Sequence, residues 1–138
     1  MLVLALEIRH AAQSPDDRDR KLRKLAESLL QFWKESGRIH FLEEDQVLLP
    51  KYARHVRLDR DADIMRMLAD HAAIRAQIED LQGSLGENFS PEQVIELGRA
   101  FHDHVRLEED RIFPRIEKVL SDKLNSLGLR LTRLHGQN

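Results

Sequence analysis

One stretch of the chain occurs twice, reading HFLEEDQVLLP at residues 40–50 and HVRLEEDRIFP at residues 104–114. The two copies align without a gap. The alignment pairs His40 with His104, Glu44 with Glu108 and Pro50 with Pro114. Self-similarity of this kind indicates two structurally related segments within one chain. In each copy a histidine precedes a glutamate by four residues, and a hydrophobic stretch then ends in proline.

The four-residue spacing places histidine and glutamate on one face of a helix. Residues four apart differ by ~40° around the helix axis and by ~6 Å along it, so imidazole and carboxylate converge. A single pair is common on charged helices, where it belongs to the solvated surface. Two copies in one frame are much rarer, and only the Glu44 position is shared, since Glu43 aligns with Leu107. The repeat therefore predicts a metal site.

The helix faces around both histidines are otherwise apolar. Trp33 shares the face of His40, and Phe101 shares the face of His104. A carboxylate on such a face is costly unless it is paired or binds a metal ion. Both histidines are therefore expected to point into the core together with their glutamates.

His71 completes the predicted ligand set. It lies on an apolar face with Ile74 and Ile78, and an antiparallel hairpin around the loop at 83–90 brings it to the depth of His104. The predicted metal ligands are His40, Glu44, His71, His104 and Glu108. The alternative is that an inward-facing Arg75 neutralises the two glutamates in a buried salt bridge.

Composition narrows the classes of function. The 138 residues fit a single domain, residues 1–138, that can bury a core without disulfides. There is no cysteine, which excludes thiolate metal sites and thiol catalysis, so a metal must be held by histidine and carboxylate. Interspersed charges with a formal sum of −2 do not favour nucleic acid as a partner. No apolar run approaches the ~18 residues of a membrane span, which favours a cytoplasmic protein without membrane contact.

The chain is rich in helix-forming residues and is punctuated by proline. Ser14-Pro15 predicts a helix start, and Ser90-Pro91-Glu92-Gln93 predicts another, with Gln93 completing a capping box. The resulting helices cover about 2–13, 15–49, 59–82 and 91–119. Together they predict an all-α, up-down four-helix bundle. Leucines of the tail predict a short amphipathic segment across one end: Leu124, Leu127, Leu131 and Leu134.

The repeated motif resembles that of the hemerythrin-like family of HHE cation-binding domains, whose second and fourth helices each carry His-x3-Glu before a hydrophobic-Pro end. The resemblance covers almost the whole chain. It implies a di-iron centre inside the bundle, with Glu44 and Glu108 as bridging ligands. It also implies His40, His71 and His104 as terminal ligands. Histidine and carboxylate ligands suit manganese or zinc as well, so iron is favoured by the resemblance alone.

The chain departs from this family pattern in two places. Where oxygen-carrying hemerythrins have a second histidine four residues after the first on helix three, this chain has Arg75, which makes simple reversible oxygen carriage a weaker expectation. Arg75 is instead expected to cap a carboxylate or an anion near the metal. On helix one the single histidine, His10, lies at a different depth from His40. A ligand level with His40 is expected at or upstream of Met1, unless that ligand is lacking or the helices bend.

The remaining candidates carry no predicted ligand role. His10 is expected at the surface or at the end of the bundle, and His55, His102 and His135 have no supporting spacing. Gly37 takes the place that Phe101 has in the other copy. It either leaves room for a small ligand or relieves a contact within the helix.

The predicted function is that of a metal-binding protein that senses, stores or binds oxygen, nitric oxide or iron. Its expected partners are a metal ion and a small diatomic ligand. One alternative is a metal-dependent enzyme acting on peroxide or nitric oxide. Another is a metal-free helical module for protein interaction, in which Arg75 pairs with the glutamates.

Overall fold

The computed structural model describes residues 1–126. Within this part the chain forms four long helices: α1 (Leu2–Gln13), α2 (residues 18–53), α3 (Ala62–Ser84) and α4 (residues 91–126). A short 3-10 turn, Leu58–Arg60, precedes α3. The described residues contain no strand, so the prediction of an all-α, up-down four-helix bundle is confirmed. Apart from the extension of α4 to Ser126, the predicted amphipathic tail lies outside the described residues.

The structure differs from the two predicted helix starts in two ways. The first differs in its position, and the second differs in its capping hydrogen bonds. Helix α2 begins at Arg18 rather than at Pro15, because Asp17 adopts a left-handed conformation with φ of 52° that interrupts the helix before that point. Helix α4 begins at Pro91 as predicted, but its capping box is absent. The Ser90 side chain makes no cap hydrogen bond, and the Oε1 of Gln93 instead accepts a hydrogen bond from Ser84. Proline and an extended Ser90 are sufficient to set this boundary.

Helix α2 was predicted to end at residue 49, and this was wrong, because the helix continues through Pro50 to Ala53. A π turn, Glu44–Leu48, precedes this proline, and the turn Glu108–Ile112 precedes Pro114 at the equivalent place of the repeat. A π turn accommodates one extra residue. Proline lacks an N–H and crowds the preceding turn of a helix. Because a π turn lies just before each proline, both helices can continue through it.

The core consists of two hydrophobic clusters separated by a polar layer. The first cluster includes Ile8 of α1, and Trp33, Ile78 and Phe101 of the other helices. The second cluster is built by α2, α3 and α4, and it includes residues such as Leu49, Met67 and Ile116. Among the described residues, α1 contributes side chains to the first cluster alone. The bundle therefore changes from four packed helices to three near the polar layer.

No helix within residues 1–126 combines the length and apolar character needed to cross a lipid bilayer.

Candidate metal centre

Four of the five predicted ligands meet in the polar layer between the clusters. Glu44 opens the π turn of α2, His71 lies near the middle of α3, and α4 contributes His104 and Glu108. Their exposed fractions are 3% for Glu44, 1% for His71, 1% for His104 and 4% for Glu108. These groups are therefore largely removed from bulk water, and each needs partners within the polar layer.

The donor atoms of these four residues form a compact group. The Nε2 atoms of His71 and His104 lie 3.2 Å apart. Glu44 Oε1 lies 3.0 Å from the Nε2 of His71, and Glu108 Oε2 lies 2.8 Å from the Nε2 of His104. One ligand atom from each residue lies within 4.8 Å of all the others, and such a group can hold a metal ion.

His40 reaches the group from its edge. Its Nε2 lies 3.0 Å from the Oε2 of Glu44, so the two oxygens of this carboxylate face different imidazoles. The side chain of His40 is 49% exposed, which corrects the expectation that it points fully into the core. The reason is that the space beside it is a cavity rather than a packed helix face.

That cavity has a volume of about 440 Å³ and reaches His40, His104 and Glu108. Much of its wall is apolar, with contributions from Phe32, Phe41, Phe101 and Val105. Met1 and the first two residues of α1, Leu2 and Val3, also line it, so the start of this helix lies near His40. His10 is exposed and does not line this cavity, in agreement with its predicted place at the surface.

Three carboxylate oxygens at the centre lack hydrogen bonds. Glu44 Oε1, Glu44 Oε2 and Glu108 Oε2 are buried and have no hydrogen-bond partner among the described residues, although imidazole nitrogens lie close by. Buried polar atoms without such partners are rare in folded proteins and point to an ion or another missing group. The donor set therefore fits a cation that takes oxygen and imidazole ligands.

Each buried imidazole is held from its opposite side by an aspartate. The Nδ1 of His71 lies 2.7 Å from Oδ1 of Asp45, and the Nδ1 of His104 lies 3.3 Å from Oδ2 of Asp70. A proton held on Nδ1 by a carboxylate leaves the Nε2 lone pair free for a metal ion. Neither aspartate was among the ligands or partners predicted from the sequence. The only signal was their position next to a predicted ligand, Asp45 after Glu44 and Asp70 before His71.

An arginine contacts each of these two aspartates. Arg75 Nη2 lies 2.9 Å from Oδ2 of Asp45, and Arg66 Nε lies 3.1 Å from Oδ1 of Asp70. Arg75 also lies over the ring of Phe41, and that ring stacks on His71 with centroids 4.1 Å apart. Arg75 therefore caps a carboxylate near the centre, as expected, but the carboxylate is Asp45. The alternative in which Arg75 neutralises the two buried glutamates is contradicted.

In the metal-free centre, the pKa values of Glu44, His71 and His40 depend on the charged groups beside them. Burial alone would raise the pKa of Glu44, but the imidazoles of His40 and His71 outweigh burial and hold it well below its usual range. Burial would lower the pKa of His71, but the carboxylates of Glu108 and Glu44 raise it to about 9. The pKa of His40 is raised by its contact with Glu44. Without metal, the carboxylates of Glu108 and Glu44 therefore stabilise a proton on His71.

Gly37 has a clear steric role. A Cβ atom there would lie 2.8 Å from Cε3 of Trp33 and 3.1 Å from Cε2 of Phe32. Gly37 closes the π turn Trp33–Gly37, and its missing side chain allows the Trp33 ring to lie against the helix. Relief of a contact within the helix therefore explains the glycine, which also lines the cavity.

Comparison with known proteins gives one result that bears on this centre. No curated protein and no solved structure matches the chain significantly. The family model described as Hemerythrin HHE cation binding domain matches residues 1–123, which include both copies of the repeat and all five predicted ligands. The chain therefore belongs to the hemerythrin HHE cation-binding domain family.

Proposed function

We propose that this protein binds non-haem iron through His40, Glu44, His71, His104 and Glu108. The observation that carries the proposal is the group of three buried carboxylate oxygens without hydrogen bonds, which face the Nε2 atoms of His71 and His104. A buried carboxylate oxygen without a hydrogen bond is costly, whereas a bound cation would compensate the charge of the carboxylate. A divalent ion with two imidazole and two carboxylate ligands provides this compensation.

Iron as the resident metal rests on membership of the family together with the donor set. Imidazole and carboxylate suit iron, manganese and zinc, and the absence of cysteine removes the soft ligands that would favour other metals. Inward glutamates and histidines on facing helices are the usual construction of iron carboxylate centres in helical bundles.

The cavity supports the binding of a small molecule at this iron. Its apolar wall and its contact with His40 and Glu108 suit an uncharged diatomic molecule such as oxygen or nitric oxide. We propose that the protein senses, stores or binds such a ligand or the iron itself. When bound, iron would supply a redox-active centre beside the cavity.

Metal analysis of purified protein tests the proposed centre. Protein expressed in iron-supplemented medium is compared with the Glu44→Ala/Glu108→Ala variant. The matched control is Glu43→Ala/Glu96→Ala, which removes one exposed glutamate from each of the same two helices without changing a residue that lines the cavity. We expect iron to co-purify with the wild type and the control but not with the first variant. Equal, substoichiometric metal in all three proteins would contradict the proposal.

A further inference from the structure

A second groove lies between α2 and α3, on a different side of α2 from the cavity at the candidate metal centre. It has a volume of about 640 Å³, which is within the range of small-molecule sites. The buried Trp33 and Ile78 belong to its wall, together with the partly buried Leu30 and Leu85. None of these four residues lines the cavity at the centre. The groove therefore has an apolar surface of its own.

Three basic side chains line the same groove. Lys34 and Arg38 lie one turn apart on α2, and Arg75 lines the groove from α3. Within residues 1–126, the side chains of Lys34 and Arg38 form no hydrogen bond and no ion pair. Glu27 and Glu79 also line the groove, but in this part of the chain neither of them pairs with a cation. Three cations against two carboxylates leave one positive charge in excess.

Arg75 is already fixed in this groove by other contacts. Its Nη2 donates a hydrogen bond to Oδ2 of Asp45, and its guanidinium lies over the ring of Phe41, 5.6 Å from the ring centroid. A guanidinium carries five N–H donors, so the contact with Asp45 leaves others for a second anion. A side chain that is already ordered loses less conformational entropy when a ligand binds.

The charged and apolar parts of the groove follow one another along the helices. Because α2 and α3 are antiparallel, Arg38 and Arg75 lie at the same end of the groove, next in sequence to the metal centre. Leu30 precedes Arg38 by eight residues, or ~12 Å along the helix axis. Glu27 lies further in the same direction. A ligand whose anionic group lies between the two arginines would therefore extend over Leu30, and a second anionic group would meet Glu27.

We propose that this groove binds a small amphiphilic monocarboxylate. The guanidinium groups of Arg38 and Arg75 donate hydrogen bonds to its carboxylate, and Lys34 adds a third positive charge. The planar fork of arginine matches a carboxylate, and the single excess charge of the groove favours a monoanion. The apolar body of the ligand packs against Leu30 and Trp33. This binding needs no metal ion, so it is independent of the function proposed above.

Titration of chelator-treated protein with octanoate tests the proposal. Trp33 reports binding through its fluorescence, because it is the one tryptophan of the sequence and lines this groove but not the cavity. Calorimetry measures the same titration. Three further probes each lack a feature of octanoate: acetate and inorganic phosphate lack the apolar body, and octan-1-ol lacks the charge. We expect octanoate to bind at sub-millimolar concentration and each other probe at least about 10-fold more weakly.

Two variants locate the ligand. Arg38→Gln should weaken octanoate binding by about 10-fold or more, because it removes charged hydrogen-bond donors. Leu30→Gln should weaken it as well, because it makes the apolar surface polar. Arg54→Gln is the matched control, since it removes an exposed arginine at the end of the same helix that lines neither the groove nor the cavity. Far-UV circular dichroism reports whether each variant folds, and Arg38 is exposed, so its replacement should leave the fold intact.

Four results would overturn the proposal. The first is that octanoate at millimolar concentration changes neither the fluorescence nor the heat signal. The second and third are that octan-1-ol or inorganic phosphate binds as tightly as octanoate, because the groove would then not select a carboxylate with an apolar body. The fourth is an unchanged affinity in folded Arg38→Gln protein, which would place the ligand elsewhere. All four are measured on metal-free protein, so none of them contradicts the proposed metal binding.

Discussion

At the scale of single residues, the aspartates behind the two buried imidazoles decide what those imidazoles can do. Asp45 and Asp70 each contact an Nδ1 atom and are themselves held by an arginine. A neutral imidazole binds metal through the nitrogen that carries no proton. These contacts select the form of His71 and His104 in which Nε2 is that nitrogen.

Replacing Asp45 by asparagine should therefore weaken metal binding without removing a ligand. We expect the affinity of the Asp45→Asn variant for Co²⁺ to fall by about 10–100-fold, the usual effect of losing a partner behind a metal-binding histidine. Asp80→Asn is the control, because it makes the same change at an exposed aspartate that does not line the cavity. Calorimetric titration measures both variants. If the Asp45→Asn variant bound Co²⁺ with an affinity within about two-fold of that of the wild type, Asp45 would have no such role.

The protonation of His71 gives metal binding a defined pH dependence. In the metal-free protein its pKa is raised from 6.5 to about 9, chiefly because Glu108 and Glu44 outweigh the effect of burial. Below pH 9 an entering ion must displace this proton. We expect the apparent affinity to increase as pH rises towards 9, and the binding enthalpy near neutral pH to depend on the ionisation enthalpy of the buffer. A buffer-independent enthalpy would contradict proton release.

The same shift has the opposite effect on the metal-free fold. Because the pKa of folded His71 exceeds the unfolded value of 6.5, its stabilising contribution is complete below pH 6.5 and is lost as pH rises through about 9. The melting temperature of chelated protein should accordingly decrease across this range while metal affinity increases. Thermal unfolding followed by circular dichroism measures the trend.

At the scale of helices, three π turns shape the second and fourth helices around the centre. Two of them begin with the bridging candidates Glu44 and Glu108, and the third, Trp33–Gly37, has no equivalent in the other copy. Turns of this kind occur frequently at functional sites. The third depends on Gly37, because the Trp33 ring occupies the place of a side chain.

Adding one methyl group at Gly37 should consequently destabilise the protein. The new Cβ would lie 2.8 Å from the buried Trp33 ring, which would have to move within a packed cluster. We expect Gly37→Ala to lower the free energy of unfolding by about 1–3 kcal/mol. Gly83→Ala is the control, because nothing lies within 4 Å of its Cβ position near the end of α3, and alanine should stabilise that helix by up to about 1 kcal/mol. Urea denaturation compares the two variants.

The repeat predicted the helices and most of the centre because it encodes periodicity, and periodicity determines which side chains share a face. Together with the hairpin around the loop at 83–90, which predicted the depth of His71, it brought Glu44, His71, His104 and Glu108 into one predicted site. It could not show that His40 is half exposed, because that depends on how far the first helix packs along the second. Nor could it show that α2 passes through Pro50, since a π turn leaves no mark in the hydrophobic pattern. The partners of Arg75 depend on tertiary distances that spacing does not contain.

At the scale of the whole molecule, the centre is the layer that joins two hydrophobic clusters. Glu44 lies between Phe41 and Leu49 along α2, and His71 lies between Met67 and Ile74 along α3. Without a cation, the bundle keeps carboxylates without hydrogen bonds in the middle of its core. A metal ion bound there would therefore stabilise the fold as a whole, since it binds the folded chain and not a site present in the unfolded one.

Removing the metal should thus lower the melting temperature. At a free ion concentration 100-fold above the dissociation constant, binding adds about 2.7 kcal/mol to stability, which corresponds to about 10 °C for a domain of this size. The Glu44→Ala/Glu108→Ala variant should melt at the same temperature with and without chelator, because it retains no buried carboxylate ligands for the ion to compensate. The Glu43→Ala/Glu96→Ala control should respond to chelator as the wild type does. If metal-loaded wild type melted at the same temperature with and without chelator, the polar layer would be stable without a cation. Its carboxylates would then be satisfied by their imidazole neighbours alone.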